Sequence, residues 1–131
     1  MKNSTILSIC LIALTSIIGI SCEKNSEEVK FIEVEYGILG IDEHVVTITY
    51  NDASGKPVVI NDPSKFVNGS MKQSVSAKPF TASMEVQVSN PTLVTKTYTI
   101  AILVDGEPKA IKSVSCPPAW YTVEVVEFTI Q

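Results

Sequence analysis

The chain of 131 residues predicts an all-β protein, an antiparallel two-sheet immunoglobulin-like β-sandwich of about seven to eight strands. Three observations carry this expectation. From residue 29 onward apolar and polar side chains alternate with a period of two, the pattern of strands with one buried and one wet face. Gly, Pro, Asn and Asp interrupt that alternation about every eight to twelve residues, the spacing of sandwich strands. No stretch beyond residue 28 has the apolar period of an amphipathic helix, and a lone sheet would leave one apolar face in water, so two sheets must pack face to face.

The first 28 residues follow other rules. Met1-Lys2-Asn3 gives a short positive start, and residues 6–20 (ILSICLIALTSIIGI) form an uncharged apolar run that ends in small residues. A spanning helix needs about 20 apolar residues, whereas a shorter run with a small-residue end and charge after it is the pattern of a cleaved export signal, expected here over residues 1–21. Gly19-Ile20-Ser21-Cys22 resembles the lipobox of bacterial lipoproteins, in its looser form common among Bacteroidetes, with Gly19 where Leu is usual. The resemblance implies acylation of Cys22 and a membrane-tethered protein of the cell envelope, on either face of the outer membrane. Residues 22–28 (CEKNSEE) then read as a flexible acidic tether and residues 29–131 as the folded domain. Cys10 falls inside the export segment, so the domain keeps Cys116 alone and no internal disulfide is expected; a lone Cys is more often a small core residue than a nucleophile.

Within the domain, residues 30–36 place Ile32, Val34 and Tyr36 inward, and residues 45–50 place Val46, Ile48 and Tyr50 inward. Asn51-Asp52-Ala53-Ser54-Gly55-Lys56 is a turn cluster, and residues 57–60 return as a short arm with Pro57 at an edge. Residues 70–76 are polar and weakly patterned, as an edge strand should be. In residues 80–89 the inward set is Phe80, Ala82, Met84, Val86 and Val88. Residues 97–104 turn Tyr98, Ile100, Ile102 and Val104 inward before Asp105-Gly106, the strongest local hairpin signal, sends the chain back through residues 109–115. After Pro117-Pro118, residues 120–130 form the last strand. Its inward set is expected to switch from Tyr121, Val123 and Val125 to Val126, Phe128 and Ile130 across a bulge near Val125.

Four segments stand out together: Thr47-Ile48-Thr49-Tyr50-Asn51-Asp52-Ala53-Ser54-Gly55, Phe80-Thr81-Ala82-Ser83-Met84, Thr99-Ile100-Ala101-Ile102-Leu103-Val104-Asp105-Gly106-Glu107 and the aromatic start of the last strand. In their order and spacing they resemble the extracytoplasmic domain of small MmpS-type accessory proteins, partners of lipid-exporting transporters in mycobacteria. The resemblance implies the same sandwich and an accessory role beside an envelope transporter. Those proteins carry a membrane helix where this chain has Cys22 and a Cys pair whose first member would fall at Ile100.

Composition narrows the chemistry. All ten basic residues are Lys, and without Lys2 the net charge of −4 becomes −5, so nucleic acid is not an expected partner. His44 is the sole histidine and is expected in a surface turn, which leaves neither a Ser/His/Asp triad nor a zinc ligand set. The acidic turns Asp42-Glu43, Asn51-Asp52 and Asn61-Asp62 lack the ligand spacing of a calcium loop. Glu33 and Glu35 share a wet strand face and lack the cleft that glycosidase carboxylates need. No catalytic residue, metal or cofactor is therefore expected. The expected function is that of a lipid-anchored binding or accessory module whose partner is an envelope protein. The alternative is a carbohydrate-binding lipoprotein domain, with Trp120 and Tyr121 as the stacking surface and Trp120 the aromatic most exposed.

Overall fold

The computed structural model describes residues 29–76 and 78–131. The expected export segment, the tether and Cys22 lie outside the described residues. Among the described residues eight strands form: β1 (Ile32–Leu39), β2 (Val45–Asn51), β3 (Pro57–Ile60), β4 (Ser70–Val75), β5 (Phe80–Asn90), β6 (Lys96–Val104), β7 (Glu107–Cys116) and β8 (Trp120–Ile130). They build two four-stranded sheets, β4-β1-β6-β7 and β3-β2-β5-β8, with every pairing antiparallel. The expected all-β, antiparallel two-sheet sandwich of eight strands is what forms.

Alternation accounts for the core. In β5, Phe80, Ala82, Met84, Val86 and Val88 are all buried, as the period of two requires. Facing them from the first sheet are Ile32, Val34, Tyr36 and Ile38 of β1 and Tyr98, Ile100 and Ile102 of β6. Tyr36 keeps its hydroxyl satisfied at the rim of this core by donating to the Asn51 carbonyl at 2.8 Å, and burial raises its pKa well above the ordinary phenol range. The outer faces are polar where the sequence alternates; Lys72 of β4 lies 3.2 Å from Glu33 and 3.5 Å from Glu35, on the solvated side expected for that pair.

Two inward assignments change. In β2 it is Val45 that is buried, and Val46 is only partly so, because the β2–β5 register shifts between Val45 and Thr47. That bulge lets one face hold Val45 and Ile48. In β8 the expected bulge near Val125 is absent: the β5–β8 ladder runs without a shift from Asn90 opposite Trp120 to Phe80 opposite Ile130. An unbroken ladder fixes one parity, so Val126 and Ile130 face the core while Tyr121, Val123 and Val125 lie exposed on the outer face. A bulge occurs instead at Ile102/Leu103, beside the hairpin of β6 and β7. Its turn residues Asp105 and Gly106 both have positive φ, 50° and 80°, the left-handed twist that suits a two-residue hairpin and explains the Asp-Gly pair.

The two ends of the sandwich differ. At one end β1 begins beside the β6–β7 turn, where Asp105 accepts from the Glu33 amide at 3.0 Å and donates its own amide to the Glu33 carbonyl at 2.9 Å. The chain's last strand ends there too, since Ile130 pairs with Phe80. At the other end four connections gather, residues 40–44, 61–69, 91–95 and 117–119. The second of these crosses from β3 to β4 through two short 3-10 turns, Pro63–Lys65 and Val67–Gly69.

Gly69 closes that crossover against β1. It is buried with φ of +74°, and a Cβ there would sit 2.5 Å from the Ile38 carbonyl oxygen; Gly55, at +79°, has nothing within 4 Å. In urea denaturation Gly55→Ala should cost about 1 kcal/mol from the strained φ alone. Gly69→Ala should cost about 3 kcal/mol, because a backbone clash is added to the same strain. Equal midpoints for the two variants would refute this account of the crossover.

Candidate functional site

Two of the four loops at that end are organised by one buried amide. Asn90 ends β5 with the same parity as Phe80 through Val88 and is only 1% exposed, so its side chain points between the sheets at the place where the core stops. Its Nδ2 donates to the carbonyls of Val94 (2.8 Å), Cys116 (2.9 Å) and Pro117 (3.1 Å). Its Oδ1 accepts from the amide and the hydroxyl of Thr92, at 3.1 and 2.6 Å. Loop 91–95 and the corner at 117–119 are thereby tied to each other and to β5. Cys116 is fully buried beside this knot, its thiol 3.3 Å from the Trp120 carbonyl, a weak donor in a core position.

What the knot presents is apolar. Leu93 is 94% exposed and Val94 63%, both on loop 91–95, and Trp120, just past the tied corner, is 65% exposed as expected. Tyr121 is also exposed, but it does not join Trp120. Adjacent strand residues point to opposite faces, and the Tyr121 hydroxyl is held on the outer sheet face by Gln87. The pair expected to form one stacking surface is thus divided between the loop end and the outer face of β8.

At the same end of the sandwich lies a cleft of about 760 Å³ between loop 40–44 and the crossover 61–69, on the scale of a small-molecule site. Its apolar wall includes Ile41, Val46, Pro63 and Phe66; its polar wall includes Asp42, Glu43, Asn61, Asp62 and Asn68. Asp42 anchors one side. It accepts from the Tyr98 hydroxyl at 2.7 Å and from the His44 amide at 3.0 Å, and Lys96 Nζ lies 3.5 Å away. Burial raises the Asp42 pKa, but these hydrogen bonds outweigh it and hold the carboxyl below its usual range. Tyr98 shifts the other way, upward, through burial and then through its bond to the carboxylate. On the opposite wall the hydroxyl and amide of Ser64 bind Asp62 and lower its pKa as well.

His44 departs from the expected surface turn: its side chain is 11% exposed, with Nδ1 3.1 Å from Asp42 Oδ2. Its neighbour Glu43 is open to solvent. Ligand atoms of Asp42, Glu43 and His44 lie within 4.8 Å of one another. This trio offers one imidazole and two carboxylates, and Asp42 is already held by Tyr98 and Lys96, which falls short of the six to eight oxygens that calcium takes.

Sequence reasoning found the exposed Trp120 and the polar edge strand β4. It missed Asn90 and the cleft. The signal for Asn90 was present, since it continues the inward parity of β5 by one more step; the cleft joins loops some twenty residues apart, which no local pattern reports.

Replacing Asn90 by Ala removes five hydrogen bonds at once and takes the amide donor from the buried Cys116 carbonyl, while the Val94 and Pro117 carbonyls keep the Thr92 hydroxyl and the Trp120 amide; stability should fall by about 2–3 kcal/mol and the Thr92 amide should exchange faster with solvent. A second outcome concerns pH. The lowered carboxyl of Asp42 contributes stability that is present above the unfolded pKa near 3.8 and is lost as pH falls through the lower folded value. Tyr98→Phe should therefore cost about 1–2 kcal/mol at pH 7, with the gap to the parent narrowing below pH 4 in urea titrations. A gap independent of pH would show that the pair is not linked in this way.

Compared with models of protein families and with curated proteins, the chain matches none, so a functional reading starts from this geometry.

Proposed function

We propose that this chain is a lipid-anchored, non-catalytic binding or accessory module of the bacterial cell envelope, tethered at Cys22 and meeting its partner with the four-loop end of the sandwich. The observation that carries the reading is the opposition of the two ends. The chain enters the fold beside the β6–β7 turn, at Glu33, and the exposed apolar residues Leu93, Val94 and Trp120 stand at the far end. Strands of eight to eleven residues at a rise of about 3.3 Å put roughly 30 Å between them. A domain tethered through residues 22–28 would thus hold its loops away from the lipid surface. Loops on a rigid sandwich are a common place for recognition, and a tied loop loses less entropy on binding than a free one. The similarity to MmpS-type proteins favours a transporter subunit as the partner.

Edge pairing is the rival mode for the same module. Strand β4 is the outermost strand of the first sheet, polar and open on one side, and a partner strand could add to it. A carbohydrate-binding role now rests on Trp120 alone, because Tyr121 faces elsewhere.

The test is a pull-down from native membranes with the lipidated full chain, followed by mass spectrometry. Trp120→Ala together with Leu93→Ser should abolish recovery of the partner, while proline substitutions in β4 should leave it unchanged. Cys22→Ala should move the protein from the membrane to the soluble fraction. If the loop variant still captured its partner and the β4 variant did not, the loop-end reading would give way to edge pairing; glycan binding lost in Trp120→Ala would favour the carbohydrate alternative.

A further inference from the structure

We infer that the cleft between loop 40–44 and the crossover 61–69 binds a small organic cation, a protonated amine carried on an apolar body. The inference rests on the reading of the loop end as a binding surface and names the ligand chemistry of one part of it.

The size of the cleft, about 760 Å³, suits a small molecule, and its composition is lopsided. Ile41, Val46, Pro63 and Phe66 supply apolar surface, and the ionisable groups that line it are Asp42, Glu43 and Asp62, with no Lys among them. The nearest cations stand outside the lining. Lys96 lies 3.5 Å from Asp42, and Lys65, beside Asp62 on its 3-10 turn, lowers the Asp62 pKa from a distance. Glu43 is 86% exposed, and among the described residues no lysine lies within ion-pair distance of its carboxylate. Asp42 and Asp62 are both held ionised by hydrogen-bond donors of the protein, Tyr98 and the His44 amide for one and Ser64 for the other.

An anionic ligand would bring a fourth negative charge to this rim. A neutral apolar one would cover the wall and gain nothing from the carboxylates. A cation with an apolar body satisfies both, by burying Ile41 and Val46 surface while its ammonium sits at the mouth near Glu43 and Asp62.

The test uses the full chain in zwitterionic lipid nanodiscs with three probes of one shape, 4-phenylbutylamine, 4-phenylbutanol and 4-phenylbutyrate, read by amide hydrogen exchange. The amine should protect residues 41–46 and 61–69, the alcohol should need about tenfold more ligand, and the carboxylate should give no protection there. Glu43→Gln and Asp62→Asn should each weaken the amine about three- to tenfold and leave the alcohol unchanged. Glu43 is solvent-exposed and Asn can still cap the turn at position 62, so both variants keep the fold. Equal protection by all three probes, or protection elsewhere in the chain, overturns the inference. If no probe binds while loop-end variants still lose their envelope partner, the cleft is overturned and the loop-end reading survives. If the amine binds as expected while those variants keep their partner, the cation site stands and the loop-end reading falls.

Discussion

The parity of β5 is the constraint on which the rest of this structure depends. It lies inside the second sheet, paired with β2 on one side and β8 on the other, and five of its side chains from Phe80 to Val88 fill the space against β1 and β6. A one-residue slip would exchange that set for Thr81, Ser83, Glu85, Gln87 and Ser89, placing a carboxylate in the core, so the register is strongly specified. The eleven-residue ladder to β8 inherits it. The same parity carried one step past the core delivers Asn90 to the interior, where an amide can answer carbonyls of two loops and of the last residue of β7. Core packing and loop anchoring are consequences of a single alternation.

That relation explains which features were legible in the sequence. Strands with one polar face, β1, β5 and β6, declare their inward side residue by residue, and the Asp-Gly turn declares its hairpin. The last strand does not, because Tyr121, Val123, Val125, Val126 and Phe128 place apolar groups on both faces; its parity is decided by the partner strand, which a local pattern cannot represent. Val45 and Val46 pose the same ambiguity in two adjacent residues. His44 read as a turn residue because it follows two acids, yet its ring lies inward, 3.1 Å from the Asp42 carboxylate that Tyr98 and Lys96, residues more than fifty positions away, also reach.

Having apolar residues on the outer face of β8 carries a hazard, since β8 is an outermost strand and an exposed apolar edge invites pairing with another chain. Strand β7 supplies a guard. Lys112 Nζ donates to the Val125 carbonyl at 3.3 Å and pairs with Glu124 at 2.6 Å, setting a charge across the middle of the free edge. At the other outermost strand of the second sheet, β3 is four residues long and begins with Pro57. Strand β4 carries Lys72 on its outer face, between Glu33 and Glu35. Each edge is thus shortened or charged, whereas Leu93, Val94 and Trp120 stand exposed at the four-loop end without such a guard.

That contrast bears on why the loop end needs a polar framework at all. Loop 91–95 and the start of β8 display Leu93, Val94 and Trp120 to water, and displaying them gives no burial energy with which to order the backbone beneath. Ordering must come from hydrogen bonds shielded from solvent, where they are strongest, and Asn90 is placed at the rim of the core, dry enough to bind five groups firmly and close enough to reach both loops. Asp42 does the same for loop 40–44 through Tyr98 and the His44 amide. An exposed apolar surface on a rigid polar footing has its ordering entropy met by folding, so any association through it would cost less than association through a loose loop.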